Sequence, residues 1–332
     1  MNPLRLTLAC GEYDRTRALA DGSLAPERIE LEYITARPGP LFHRMVRERT
    51  YEVAEMSFAS YLNLRARGDE GLIGVPVFPS RLFRHGYVFV NSSGRIQSAP
   101  DLAGARIGTE QYQLTASVWL RGIFDDEAGV RPEDVTWVVG GQDEPGGGER
   151  APLTLPDGIA VERIGADETL STLLAEGRID ALFAPHLPAI FQKRDPRVVR
   201  LFPDYPAVEA DYYRRTGLFP IMHLVVIRSD VYEANRWVAG ALFEAFCESK
   251  RRALERLRFA GTLAAMVPWL IADLEAAEDL FGERYWPYGV AANRPELETL
   301  IRYAHRQGIT VRDLTVDELF APETLVMEDA VG

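Results

Sequence analysis

Asn91-Ser92-Ser93-Gly94, followed shortly by Asp101-Leu102-Ala103-Gly104-Ala105-Arg106-Ile107-Gly108, divides the chain. A cluster of small turn-forming residues ends one extended segment, and a fresh strand opens after it. Upstream, short apolar strands alternate with helical stretches: Leu4, Leu6, Leu8 and Cys10 alternate as one face of a half-buried strand, Ile29–Ile34 and Tyr51–Glu55 are extended, and Pro40–Arg49 and Ser57–Ala66 have helical spacing. Leu72–Phe78 and Gly86–Asn91 then complete a first set of strands. Downstream come a helix at Leu114–Asp126, strands near Val135–Val139 and Ile179–Ala184, and a Gly/Pro-rich loop or lid from Gly140 to Pro156. Met222–Ile227 is a further apolar strand, and long helical material runs from Asp230 to Phe281. Strand and helix alternating in this way predict an α/β fold, and 332 residues at 47% apolar content suit two lobes. The predicted division is residues 1–91 plus 224–332 for the first lobe and 92–223 for the second, with two crossovers.

Composition narrows the ligand class. A net charge of -12 without a long Lys/Arg run argues against nucleic acid and anionic membrane surfaces. No apolar run reaches the ~18 residues of a membrane span, and Met1-Asn2-Pro3 leads straight into a strand rather than a leader. Only Cys10 and Cys247 occur, so neither a disulfide framework nor a Cys-based metal site is expected. A cytoplasmic protein is the expectation, and a homo-oligomer is left open. Nucleophile-elbow, phosphate-loop, dinucleotide and His-Glu-x-x-His patterns are all missing.

Two clusters carry chemistry. Ser80-Arg81-Leu82-Phe83-Arg84-His85 crowds two guanidiniums and an imidazole where a strand should end, and Tyr212 to His223 repeats the ingredients. Arg offers a planar fork that matches carboxylates, and His exchanges protons near neutrality. Ligands of open α/β sheets sit beyond the carboxyl ends of strands, which gathers Gly11–Asp14, Glu55–Ser60, Ser80–His85, Glu110–Thr115 and Pro185-His186 around one cleft. Arg81 is the preferred carboxylate clamp. Arg84 serves as a second cation or pairs with an acid. Of the adjacent Arg214 and Arg215 only one can face the cleft, and Arg214 is favoured. His85 and His223 sit at the two crossovers and are read as a functional pair, against the alternative of buried histidines satisfied by backbone. Glu55 orients an imidazole or takes a phenolic proton. Asp14, Ser57, Tyr112 and Thr115 complete the binding set, Thr115 with the backbone N–H groups of the helix it opens. Tyr212 and Tyr213 suit an aromatic wall or plain core, and Phe219 is read as core. His186 is a reserve candidate, and His43 and His305 are read as solvent-facing.

The Asp101–Gly108 segment resembles the second-lobe opening of the type II periplasmic-binding-protein superfamily: two α/β lobes, two crossovers, an interlobe cleft. Ala9 to Thr16, Ala54 to Ser57, Pro79 to His85, Tyr212 to His223, Phe281 to Asn293 and Glu318 to Glu323 resemble the 4,5-dihydroxyphthalate decarboxylase family, from Leu4 to about Leu325. The resemblance implies loss of one carboxyl group from a dihydroxylated phthalate without an organic cofactor. A hydroxyl para to the departing carboxylate pushes electrons into the ring, the ring carbon takes a proton, and loss of carbon dioxide restores aromaticity. The roles expected are Arg81 and Arg214 as clamp, His85 as proton donor, and His223 as alternate donor or phenol partner. No metal is expected, a divalent ion on two His and one acid being the lesser alternative. The rival readings are a receptor for an aromatic acid and a different lyase, such as a dehydratase, on the same scaffold.

Overall fold

The computed structural model describes residues 3–282 and 285–329; residues 1–2, 283–284 and 330–332, which fall in the predicted first lobe, lie outside the described residues. Among the described residues, eleven strands form two sheets. These are β1 Leu4–Cys10, β2 Ile29–Thr35, β3 Val53–Ser57, β4 Leu72–Arg81, β5 Val88–Asn91, β6 Arg106–Thr109, β7 Thr136–Val139, β8 Ala160–Arg163, β9 Ala181–Phe183, β10 Val198–Arg200 and β11 Ile221–Arg228. The first sheet has the order β2-β1-β3-β11-β4, and the second β10-β5-β9-β6-β7-β8.

Hydrophobic pattern explains the layering. β3 is buried at all five positions, as a strand in mid-sheet with both faces covered must be, yet one of those positions is Glu55. β1 pairs in parallel with β2 and β3, and β11 returns antiparallel between β3 and β4. The helix Trp237–Arg258 closes over the first sheet with Val238, Leu242, Phe243 and Phe246 inward. Between the sheets lies the helix Thr115–Ala128, buried from Thr115 through Phe124.

The crossovers differ by a few residues from the predicted division. β5 pairs with β9 and β10, so Val88–Asn91 belongs to the second sheet and the chain crosses at Leu82–Tyr87, before Asn91. Ile221 and His223 pair with Arg81, Ser80 and Ser57, so the return is complete before residue 223. Turn-forming residues mark where a strand ends, not which sheet holds it; pairing settles that. The two crossings run side by side, with Leu82 N donating to Pro220 O at 3.1 Å. Gly86 is required here: a Cβ would meet the Tyr205 ring at 2.6 Å, so only glycine lets the Tyr205–Thr216 helix pack on the crossing. The helical material after Asp230 is three helices, Ser229–Ala234, Trp237–Arg258 and Leu270–Phe281, rather than one run. Among the described residues no helix is long and apolar enough to cross a membrane.

Candidate active site

Glu55 is fully buried in the middle of the first sheet, so its charge must be met by donors. Four converge on it. His223 Nδ1 lies 2.5 Å from Oε1, Tyr13 OH donates to the same oxygen at 2.6 Å, and Gly11 N and Cys10 Sγ reach Oε2 at 2.8 and 3.5 Å. Burial alone pushes this carboxyl up; the His223 ring and the Tyr13 and Gly11 hydrogen bonds outweigh that and hold it below its ordinary range. Sheet register builds the pair. His223 faces Ser57 and Val225 faces Glu55, making His223 and Glu55 diagonal neighbours, and irregular pairing of β11 on either side of His223 re-aims its side chain. Gly11 is the second glycine the geometry demands, because a Cβ there would meet the Tyr13 ring at 2.7 Å and Glu55 Oε2 at 3.1 Å.

With Nδ1 held by Glu55, Nε2 is the imidazole nitrogen left to the cavity that His223 lines. That cavity, about 460 Å³, lies between the two sheets. From the first lobe come Arg37, Phe42, Ser57, Met222 and His223; from the second come Glu110, Leu114, Thr115, Arg150 and His186; the first crossing supplies Arg84. Phe42 meets the His223 ring edge-on at 4.7 Å. Thr115 Oγ1 lies 3.0 Å from Ser57 Oγ and accepts from Ala59 N at 3.1 Å, stitching one lobe to the other. No side chain caps the start of the Thr115 helix, so its first N–H groups present a partial positive charge to an anion.

Arg84 is the central cation. It is 7% exposed, its Nε reaches Met222 Sδ at 3.2 Å and its Nη1 donates to Pro185 O at 3.1 Å, both neutral partners. Burial pulls its guanidinium down to about 10, and Tyr87 and Glu209 offset only part of that fall. A desolvated cation facing a cavity is the complement of a carboxylate. Next to Pro185, His186 Nε2 stands 3.7 Å from Glu110 Oε1, and that contact raises the imidazole above its ordinary value.

Five of the expected site residues therefore converge: Glu55, Ser57, Arg84, Thr115 and His223. The other five do not. His85 is turned away from the cavity by the Leu82–Tyr87 crossing and packs against Phe124, Phe202 and Tyr212; its Nδ1 lies 4.0 Å from Glu209 Oε1, neither ring nitrogen has a hydrogen-bond partner, and burial lowers it to about 4. The imidazoles of His85 and His223 thus share no cavity. Arg81 is structural, because β4 extends through it and carries its side chain to Glu296 at 3.4 Å and to the carbonyls of Phe219 and Pro287. Arg214 is exposed: its helix buries Glu209 and Tyr212 on one face, which sends position 214 outward. Arg215 pairs with Glu127 and Asp211. Tyr112 is buried against Arg121 with its hydroxyl on Gln307 O, and Asp14 is exposed and paired with Arg15. Tyr213 and Phe219 join Phe83 and Phe281 in an aromatic cluster apart from the cavity. His43 and His305 are exposed.

Arg37, Phe42, Met222 and Arg150 were not singled out as site residues. Arg150 alone left a signal, as an arginine inside a glycine-rich lid. Among the described residues no three His, Cys, Asp or Glu side chains gather in a way that would hold a metal ion.

No family model matches the chain. Over 325 residues it is 38% identical to 4,5-dihydroxyphthalate decarboxylase of Comamonas testosteroni, covering 98% of each protein. The protein of the same name from Pseudomonas putida is 40% identical over 214 residues, 64% of this chain and 83% of that one. Among solved structures, a putative periplasmic sulfonate-binding protein SsuA from Methylobacillus flagellatus KT superposes with a TM-score of 0.58 at 14% identity, covering 98% of this chain and 93% of that one. The periplasmic aliphatic sulphonate binding protein SsuA from Escherichia coli gives 0.54 at 12% identity, over 96% and 92%. At these identities the structural likeness shows the fold: the two-lobed periplasmic-binding-protein architecture.

Proposed function

The chain belongs to the 4,5-dihydroxyphthalate decarboxylase family, and from that premise we propose that His223, oriented by Glu55, protonates the ring of a dihydroxylated aromatic dicarboxylate held by Arg84. It is a carboxy-lyase acting on a small aromatic acid. The observation that carries the assignment of roles is the Glu55–His223 pair on the wall of a cavity that also holds a buried arginine hydrogen-bonded to neutral partners.

The chemistry follows from placement. Glu55 accepts from Nδ1–H and favours the imidazolium, and it is this doubly protonated ring that turns a second N–H, on Nε2, toward the ligand; after transfer the neutral ring takes up a proton from water before the next turnover. Arg84 and the open N–H groups of the Thr115 helix hold the carboxylate that stays. As the para hydroxyl pushes electrons into the ring, the ipso carbon takes the Nε2 proton; the C–C bond to the departing carboxylate then breaks, its electron pair returns to the ring, and carbon dioxide leaves. One proton is consumed per turnover. Because Glu55 is wholly buried behind the imidazole, it acts as orienter, and the phenolic proton falls to Glu110 or His186 in the same cavity and returns to the oxygen as the ring regains aromaticity. Side chains of Phe42, Leu114 and Met222 exclude water from the reacting carbon.

No organic cofactor or metal enters this scheme. Full turnover after exhaustive chelation is the outcome expected; loss of activity restored by one divalent ion would overturn it. We also assign the protein to the cytoplasm, in keeping with two free, buried cysteines. The direct test of function is carbon dioxide release from 4,5-dihydroxyphthalate. His223→Asn is expected to lower turnover by about 10²–10⁴-fold. Binding of the dicarboxylate without product by the wild type would refute the enzyme and favour a receptor.

A further inference from the structure

Arg84 is not alone in facing the cavity with no carboxylate in hydrogen-bond contact. Arg150 lines the same space from the Gly140–Pro156 lid, makes no hydrogen bond or ion pair among the described residues, and has its Nη1 fully enclosed. Its guanidinium carbon stands 5.3 Å from the centre of the Phe42 ring, the ring whose edge meets His223. A glycine-rich loop would ordinarily let such a side chain swing into water. Here the loop is pinned on both sides of Arg150. The Glu149 carboxylate accepts from Tyr112 N at 2.5 Å and Gln113 N at 3.2 Å, Gln111 Nε2 donates to Gly148 O at 2.6 Å, and Gln113 Nε2 donates to Ala151 O at 3.1 Å.

Glu149 is thereby occupied by backbone amides, and Glu110, the other nearby acid, faces His186. Burial pulls the Arg150 guanidinium down and these two carboxylates only partly offset it. A cation so held, enclosed and unpaired, costs folding free energy unless an anion enters. Two such cations rise from different walls, Arg84 from a crossing and Arg150 from the lid.

We propose that Arg150 is the specificity-determining residue for the second carboxylate of an ortho-dicarboxylate, while Arg84 holds the first. The inference rests on the decarboxylase reading of this cavity. It also accounts for turnover of the site: the monocarboxylate product leaves Arg150 without an anion in a desolvated pocket, so product binds more weakly than substrate and departs.

The test uses unreactive ligands, so that binding is read apart from chemistry. Phthalate and benzoate, which lack the hydroxyls that drive ring protonation, are titrated calorimetrically into the wild type, Arg150→Gln and Arg150→Lys. Arg150→Gln should weaken phthalate by about 30–300-fold and benzoate by less than about threefold, with Arg150→Lys intermediate because the charge stays but the planar fork is lost. In turnover, Arg150→Gln should raise KM far more than it lowers kcat, the signature of lost ground-state recognition. Equal weakening of both ligands, or of neither, in a variant with unchanged thermal unfolding would overturn the assignment. The two readings fail separately. A wild type that discriminates phthalate from benzoate but releases no carbon dioxide sinks the decarboxylase; one that releases it while Arg150→Gln still prefers phthalate sinks the role of Arg150.

Discussion

Replacing Glu55 by Gln tests the core of the mechanism, because it keeps shape and removes only charge. In the native protein one carboxylate serves three strong donors, His223 Nδ1 at 2.5 Å, Tyr13 OH at 2.6 Å and Gly11 N at 2.8 Å. An amide offers a single acceptor oxygen. If that oxygen stays with His223, the amide nitrogen confronts the Gly11 N–H and a buried donor goes unsatisfied. If it turns to Gly11, the amide donates to Nδ1, and the ring keeps its one proton on Nε2 as neutral imidazole, too weak an acid to protonate carbon. Both arrangements lose charge-assisted bonds in a dry environment, a stability cost of about 2–3 kcal/mol. Turnover should fall by about 10²–10³-fold, equivalent to about 2.7–4 kcal/mol of lost transition-state stabilisation. Linkage supplies an internal control. The Glu55 carboxyl is held below its ordinary range, so its contribution is fully present above the unfolded value, roughly pH 4.3, and is lost as pH falls through the folded value. The stability gap between wild type and variant should therefore narrow on acidification. Urea unfolding at several pH values and a carbon dioxide release assay read the two effects. Turnover within about threefold of wild type, in a variant showing the stability loss, would refute the Glu55–His223 assignment.

His85→Leu replaces two buried nitrogens that make no hydrogen bond by carbon, and turnover should stay within about threefold with thermal stability unchanged or higher; a hundredfold loss would restore His85 as proton donor. Arg81→Met strands the buried Glu296, so it should cost about 3–5 kcal/mol in urea unfolding while the folded fraction keeps its KM; a KM increase at native stability would return Arg81 to the clamp. Glu209, which accepts the Gly86 N–H at 3.0 Å beside the first crossing, is raised to about 7 by burial. The folded protein thus retains that proton where the unfolded chain has lost it, and stability falls as pH rises from the unfolded value toward 7. Glu209→Gln should abolish this slope and be the more stable form at pH 8, by on the order of 1–3 kcal/mol, with little difference at pH 4; parallel curves in thermal scans would disprove it.

What could be read from the chain was chiefly local. Alternation at Leu4 to Cys10, the apolar run at Met222–Ile227 and the turn at Asn91–Gly94 report φ/ψ preference and one-sided burial, and each corresponds to a strand or a strand end. β8 and β10 are not legible in the sequence because both are sheet edges with little burial: β8 is exposed at all four positions and β10 buries only Val198, so neither shows a one-sided apolar pattern. The Tyr205–Thr216 helix went unassigned, its pattern masked by adjacent aromatics and arginines. Residue type pointed to arginine, histidine and a buried acid, all of which meet at the cavity, but which of near neighbours lines it depends on direction. Arg84 enters the cavity while Arg81 and His85 do not, and composition treats the three alike.

By itself the sequence determined that this is a two-lobed α/β protein with cation-rich segments where the chain changes lobes, because strand periodicity, turn chemistry and charge are properties of short windows. Tertiary structure alone decided which of those cations and imidazoles meet. His223 reaches Glu55 only through the register of β11 on β3, Arg150 reaches the cavity only because Glu149 pins its loop to the start of a distant helix, and His85 is lost to the core by the path of a six-residue crossing. Register and loop path are set by the sum of many long-range contacts, each too weak to be seen in the residues that bear the chemistry.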